Sequence, residues 1–189
     1  FIYLSSFLVG VSSAFAVIVL KIFAHKIYET TQSFSYILKL PYVNSILPII
    51  GILLTVFITK KFLDGSIQKG TAQIMLAIAN KSSRMPSKQM YAQIITSSFT
   101  VGMGGSAGLE SPIAITGAAF GSNYASNFRL DYKERTLLLA CGVAAGISAA
   151  FNAPIAGVLF AIEVILADMS VTAFIPLLIA AASGALVST

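Results

Sequence analysis

The chain has 189 residues, of which 57% are apolar and 10% are charged, and its mean hydropathy is +0.87. Ordinary soluble domains contain roughly 25% charged residues, so this composition excludes a soluble domain, and it also excludes a disordered chain, which requires low hydrophobicity. The formal net charge of +5 is typical of basic residues that flank membrane helices, so we predict an integral, multi-pass membrane protein without a nucleic-acid partner.

Apolar runs of helical length follow one another along the whole chain. A membrane span needs roughly 20 apolar residues, because about 30 Å of hydrocarbon is crossed at about 1.5 Å per residue. We predict an all-α fold with helices at residues 1–28, 45–62, 71–79, 88–103, 112–128, 133–150, 154–167 and 171–188. The polar segment 30–42 is predicted to be a loop.

Segment 71–79 is too short to cross a bilayer. Nine helical residues cover about 14 Å, roughly half of the hydrocarbon core, and polar residues follow at once. We therefore predict a re-entrant half-helix whose irregular ends face protein or water.

The basic residues are distributed unevenly between the predicted helix ends. If the first helix runs outward and segment 71–79 is re-entrant, nine basic residues fall on the inner side and three on the outer side, as the positive-inside rule expects. The outer three are Lys21, Lys26 and Lys39. The inner nine are Lys60, Lys61, Lys69, Lys81, Arg84, Lys88, Arg129, Lys133 and Arg135.

Small residues are dense in the second half of the chain. Gly117 and Gly121, and likewise Gly142 and Gly146, have the four-residue spacing that lets membrane helices approach closely. This pattern predicts helix packing rather than a ligand site.

Two of the seven acidic residues lie within apolar sequence, where an ionisable group is costly and usually functional. Glu110 lies in Gly108-Leu-Glu-Ser-Pro112, and Glu163 lies in the apolar run 158–165. The other five lie in loops or at helix ends, where water solvates them.

Glu110 is the stronger candidate. Ser111 and Pro112 are typical of a helix start, which places Glu110 immediately before the helix. A helix start carries unpaired N–H groups and about half a positive charge, so it attracts anions, and the preceding glycines let the backbone turn its N–H groups inward. We predict that the Glu110 carboxylate occupies an anion site until a permeating anion displaces it or protonation releases it; a purely structural carboxylate is the alternative.

The segment Gly108-Leu-Glu-Ser-Pro112 resembles the Gly-Arg-Glu-Gly-Pro signature of the CLC chloride channels and chloride/proton antiporters. The stretch from Gly142 to Glu163, which contains Phe151-Asn-Ala-Pro154, resembles the long small-residue segment of the same family. The resemblance is strong over residues 102–164 and looser over 60–189. It implies the CLC fold, with two inverted halves per subunit, short tilted helices whose N-termini meet around an anion path, and a homodimer with one pore in each subunit.

The resemblance also implies functional roles for particular residues. Glu110 would be the gate, and the backbone of Gly108, Leu109 and Ser111 would line the outer chloride site. Helices 154–167 and 171–188 would contribute to the dimer interface. Chloride would be the transported ion, the bilayer the surroundings and the bacterial plasma membrane the location; no cofactor and no metal site is predicted.

The sequence departs from the family pattern at three places. Leu109 and Ser111 replace the signature arginine and second glycine. The inner Gly-Ser-Gly-Ile-Pro loop is not intact: Gly65-Ser66 is one candidate match, and Lys69-Gly70-Thr71 is the better one by spacing, so the inner anion ligand is Lys69 or Ser66.

The third departure concerns protons. Antiporters of the family often carry a second glutamate directly after the position of Glu163, and here that position is Val164, as in the channels. The sequence therefore favours a channel, with a chloride/proton antiporter or a fluoride-type transporter as alternatives. Glu163 is a candidate for a proton or water path, or for a structural role.

The chain matches one inverted half of the family, and we expect it to form a single transmembrane domain, residues 1–189, equivalent to the N-terminal half. The first residue is Phe1 and no counterpart of the second half follows, so we expect a piece of a longer protein. An enzyme is the rival class, but Gly102-x-Gly104-x-x-Ala107 lacks the preceding strand of a dinucleotide site, and His25 is the only histidine.

Overall fold

The structure is a computed structural model, and it describes residues 1–38, 43–62, 70–80, 82–165 and 171–189. These residues form eight helices and no strand: α1 (Ile2–Leu38), α2 (Val43–Phe62), α3 (Ala72–Asn80), α4 (Gln89–Gly102), α5 (Glu110–Asn127), α6 (Tyr132–Phe151), α7 (Pro154–Ile165) and α8 (Val171–Ser188). The predicted all-α fold and the short helix over 71–79 are confirmed.

Helix α1 is longer than predicted. It continues to Leu38, so the prediction of a loop from residue 30 is wrong over 30–38. Three hydroxyl groups there are satisfied inside the helix, because those of Thr30, Thr31 and Ser33 donate to carbonyl oxygens four residues back at 2.8–2.9 Å. No glycine or proline interrupts the chain between residues 29 and 40, so nothing in the sequence ends the helix earlier.

Helix α6 is the centre of the fold. Its residues from Leu138 to Ala149 are all buried, and it packs against α1, α5, α7 and α8. An Asp131 cap starts the helix, where the Glu134 N–H donates to the Asp131 carboxylate at 2.8 Å. A helix that is apolar on every face is buried on every face, so other helices must pack around it.

Helices α5 and α6 run antiparallel with their backbones in contact. A Cβ atom added to Gly117 would overlap the Gly142 carbonyl group, and one added to Gly142 would overlap the Gly117 carbonyl oxygen. Gly121 meets the Leu138 carbonyl group in the same way. The close approach predicted from the glycine spacing is confirmed, and it is tightest at Gly117, Gly121 and Gly142.

Arg135 lies in the first turn of α6, and its side chain is only 7% exposed. It donates to the Ser82 carbonyl oxygen at 3.0 Å and to the Leu130 carbonyl oxygen at 2.8 Å. Arg135 therefore ties the chain that follows α3 to the turn before α6, and fixes the half-helix in place.

Two helices in the described part of the chain are long and apolar enough to cross a membrane, Ile2–Ser33 within α1 and Tyr132–Phe151. Two further apolar helices, Pro154–Ile165 and Thr172–Ser188, are shorter. The short apolar helices α7 and α8 pack against the buried helix α6, which agrees with the predicted mixture of spanning and shorter helices.

The glycine contact yields a stability prediction. Gly117→Ala should destabilise the protein, because the new methyl group meets backbone of α6 that cannot rotate away, and overpacking a tight core costs typically about 1–3 kcal/mol. We expect the variant to unfold at a lower temperature in detergent. The control is Gly146→Ala, whose Cβ would lie 3.3 Å from its nearest neighbour, the Ile113 carbonyl oxygen, and should cost less. Equal unfolding temperatures for the two variants would contradict the contact.

Candidate functional site

The start of α5 carries the main candidate residue. The helix begins at Glu110, so this residue lies in the first turn and not immediately before the helix as predicted. Leu109 is the N-cap residue, with φ −84° and ψ −7° and no side-chain cap. Pro112 is tolerated at the third helical position because the first N–H groups of a helix have no intrahelical acceptor. Ser111 is therefore a first-turn residue and not the cap.

The backbone before α5 bends sharply, as the glycines predicted. Gly104 has φ +90°, a backbone conformation that residues with a Cβ atom rarely adopt. The Gly105 N–H donates to the Thr100 carbonyl oxygen at 2.9 Å, which folds the chain back over the end of α4. This turn delivers Gly108, Leu109 and Glu110 to the start of α5.

An open cleft of about 370 Å³ lies at this helix start, and we call it the Glu110 cleft. It is lined by Thr71, Gly108, Glu110, Ser111, Phe160 and Val164. Four of these six residues are predicted site residues, and the structure therefore brings together segments that lie far apart in the sequence. Their role as anion ligands stays a prediction.

The Glu110 carboxylate is exposed, and no hydrogen bond or ion pair joins it to any residue that the structure describes. The first intrahelical bond runs from the Ile113 N–H to the Leu109 carbonyl oxygen at 3.0 Å, so the N–H groups of Glu110 and Ser111 precede the hydrogen-bonded part of α5. An unpaired carboxylate beside unpaired donors is an arrangement in which a small anion and the carboxylate can exchange.

A second helix start reaches the same place. Gly70 precedes α3 with φ +64°, and an added Cβ there would lie 3.7 Å from the Ser111 hydroxyl oxygen. The Gln73 N–H donates to the Gly70 carbonyl oxygen at 3.1 Å, which begins the turn into α3. The starts of α3 and α5 thus converge beside the Glu110 cleft. Both alternatives for the inner ligand, Lys69 and Ser66, lie outside the described residues.

Glu163 is placed differently from Glu110. It is exposed on α7 and does not line the Glu110 cleft, whereas Phe160 and Val164 on the same helix do. The sequence reasoning did not select Phe160, although its four-residue distance from Val164 puts the two on one helical face. The predicted proton or water path through Glu163 stays a prediction.

Leu109 lines a different cleft from its chain neighbours Gly108 and Glu110. It lines a second open cleft, of about 390 Å³, together with Lys21, Ala24, His25, Tyr28, Val101 and Gly102. The sequence reasoning placed Lys21 only at the outer end of the first helix, because nothing in the sequence relates residue 21 to residue 109.

No three His, Cys, Asp or Glu side chains form a group that could hold a metal ion within the described ranges. An apolar, all-helical chain with short helices, two of whose starts converge on a cleft, has the architecture of a membrane transport protein.

Comparison with known proteins agrees with this class. The profile of the family described as "Voltage gated chloride channel" matches residues 51–189. The chain is 33% identical over 118 residues to the putative chloride channel protein ClcB-like of Ralstonia nicotianae, a match that covers 60% of this chain and 28% of the relative. It is 51% identical over 65 residues to the H(+)/Cl(-) exchange transporter ClcA of Yersinia pestis bv. Antiqua, which covers 34% of this chain and 14% of the relative.

A solved structure supports the same assignment. The crystal structure of a CLC-type fluoride/proton antiporter matches with a TM-score of 0.77 and 30% identity, and covers 99% of this chain and 46% of that one. The chain belongs to the voltage gated chloride channel family, and its fold is the CLC fold of an integral membrane protein. It spans less than half the length of the proteins it matches. The names of these relatives describe channels and transporters rather than enzymes.

The geometry predicts that water-soluble anions reach the Glu110 cleft. A cysteine at Thr71 should react with a negatively charged methanethiosulfonate reagent in the full-length protein, and chloride should slow the reaction. The native Cys141 is fully buried and contributes little background. Thr116→Cys, at a fully buried position on α5, is the matched control. Reaction of Thr71→Cys no faster than that of Thr116→Cys would contradict an accessible cleft.

Proposed function

We propose that this protein moves chloride across a membrane through the Glu110 cleft, with Glu110 as the gate. One observation carries the proposal: a carboxylate without a protein partner among the described residues stands at the start of α5, where a second helix start also arrives.

The physical need for such a site is dehydration of the anion. Transfer of a bare ion into an apolar medium costs on the order of tens of kcal/mol, so a permeating chloride needs donors that replace its water. Helix starts provide these donors without a fixed cation, because each has unpaired N–H groups and about half a positive charge. Two helix starts that meet provide a site that binds chloride and still allows it to dissociate.

The same donors attract the Glu110 carboxylate. While the carboxylate occupies the site, chloride is excluded by competition for the N–H groups and by like-charge repulsion. An anion that displaces the side chain, or a proton that neutralises it, opens the site. The short reach of a first-turn side chain suits this exchange, because rotation about its own bonds is sufficient to move it.

The relatives support an anion as substrate. Their printed names describe a chloride channel, an H(+)/Cl(-) exchange transporter and a fluoride/proton antiporter. Because this chain covers only part of each, we infer that residues 1–189 act as the N-terminal half of a CLC-like pore domain. The matched curated relatives quoted above are bacterial, which supports the bacterial plasma membrane as the location.

The gate is tested with Glu110→Gln, which keeps the shape of the side chain and removes its charge. In full-length protein in liposomes, we expect chloride flux at neutral pH to rise about tenfold, equivalent to about 1.4 kcal/mol, and to lose its difference between two pH values. Glu134→Gln is the control carboxylate: it lies outside the Glu110 cleft, its side chain accepts from the Asp131 N–H in a capping box that glutamine also completes, and the variant should leave chloride flux unchanged. Unchanged flux in Glu110→Gln would remove the gate assignment.

The same liposomes distinguish a channel from an antiporter. Val164 in place of a second glutamate favours a channel, and chloride flux without proton movement is then expected. Proton movement driven by a chloride gradient, and abolished in Glu163→Gln, would instead assign antiport and place Glu163 on the proton path. Flux of fluoride well above that of chloride would assign the fluoride-type alternative, for which the 30% identity to a fluoride/proton antiporter is the reason to measure it.

We further propose a homodimer formed through the helices at 154–167 and 171–188. Support comes from the exposed apolar side chains of Ile155, Leu159, Ile175 and Leu178 on α7 and α8. Residues 166–170 of this region lie outside the described residues. Stepwise photobleaching of labelled full-length protein at low density in lipid should show mostly two steps, and single steps throughout would contradict the dimer.

A further inference from the structure

The cleft lined by Leu109 lies on the other side of the same helix start, and we call it the Lys21 cleft. Gly108 and Glu110 line the Glu110 cleft, while Leu109, between them in the chain, lines the Lys21 cleft. The two clefts are therefore separated by the thickness of one backbone segment.

Lys21 is fixed in this cleft by the end of α6. Its Nζ donates to the Ala150 carbonyl oxygen at 2.6 Å, one of the last carbonyls of that helix. A lysine ammonium has three hydrogens, so two remain for a ligand after this bond. The bond also orders a side chain that would otherwise be flexible, so little entropy is lost when an anion binds.

The lining of the Lys21 cleft carries no carboxylate. Besides Lys21 it contains the imidazole of His25 and the phenol of Tyr28, both of which can donate hydrogen bonds. The nearest acidic group on α1 is Glu29, whose carboxylate is 3.2 Å from the His25 Nε2 atom and is not among the lining residues. The balance of charge in the cleft is therefore positive.

We propose that the Lys21 cleft is an anion-capture site, which binds the transported halide from water and passes it to the Glu110 cleft. The proposal rests on the proposed function, and it adds the site from which the gate is loaded. Leu109, the N-cap residue of α5, carries no charge. Among the described residues, Lys21 is the lysine or arginine that lines the same cleft as Leu109. A fixed charge in a cleft raises local counter-ion concentration and arrival rate by about 10- to 1000-fold.

The test measures chloride flux against chloride concentration with full-length protein in liposomes. Lys21→Gln keeps a donor for the Ala150 carbonyl and removes the charge. We expect the chloride concentration at half-maximal flux to rise about tenfold, while the maximal flux stays within about twofold, because the charge acts on capture rather than on the gate. Lys21→Arg should restore the wild-type concentration dependence.

Lys26→Gln is the matched control. Lys26 lies on the same helix as Lys21 but lines a different cleft, together with Ile27, Thr30, Thr31, Phe99 and Met103. This variant should behave like the wild type. An equal effect in both lysine variants would assign a general surface charge and overturn the capture site, as would unchanged half-maximal concentration in Lys21→Gln.

A purely structural role for Lys21 gives a different result. Lys21→Met removes the bond to the Ala150 carbonyl as well as the charge. If capping of α6 were the whole function, Lys21→Met would unfold at a lower temperature and lose maximal flux, while Lys21→Gln would keep the wild-type chloride concentration at half-maximal flux, and that concentration dependence would overturn the proposal. Absence of flux for chloride and fluoride in the wild type would defeat the proposed function instead, so the two failures are distinguishable.

Discussion

The contact between the backbones of α5 and α6 is the constraint on which the rest of the structure depends. Gly117 and Gly142 lie so close that neither position has room for a methyl group, and Gly121 meets α6 one turn further on. In a bilayer the lipid tails are as apolar as the side chains, so helices associate by tight packing rather than by hydrophobic exclusion. This contact holds α5 against the buried helix α6 and thereby fixes the position of its first turn.

From that fixed helix the site follows in two steps. The glycine turn after α4 leads the chain into α5, with Gly104 in a left-handed conformation, so that Glu110 begins the helix without a side-chain cap. Arg135, at the opposite end of α6, holds the chain that follows α3, and the start of α3 arrives beside Ser111. Rigid packing thus presents two sets of unpaired N–H groups to one place, where they can donate to an anion.

Much of this could be predicted from sequence, because the signals are local. Apolar run lengths predicted the helices that the described residues form, and the glycine spacing predicted close helix approach, but not that α5 and α6 are the pair that meets. The errors were also local. Residues 30–38 were assigned to a loop because they are polar, yet the hydroxyls of Thr30, Thr31 and Ser33 donate to carbonyl oxygens one turn back. Pro112 was assigned to the first helical position, although any of the first three positions lacks an intrahelical acceptor.

The sequence by itself determined the membrane environment, the order of the helices, and the presence of an ionisable group, Glu110, at a helix start, since hydropathy and helix-start chemistry depend on neighbours along the chain. Only the tertiary structure decided which side chains share a cleft. Thr71 joins Ser111 and Val164, Glu163 lies apart from them, and Lys21 lies beside Leu109. Such proximities depend on the angles at which helices cross, and those are set by the packing of many side chains at once.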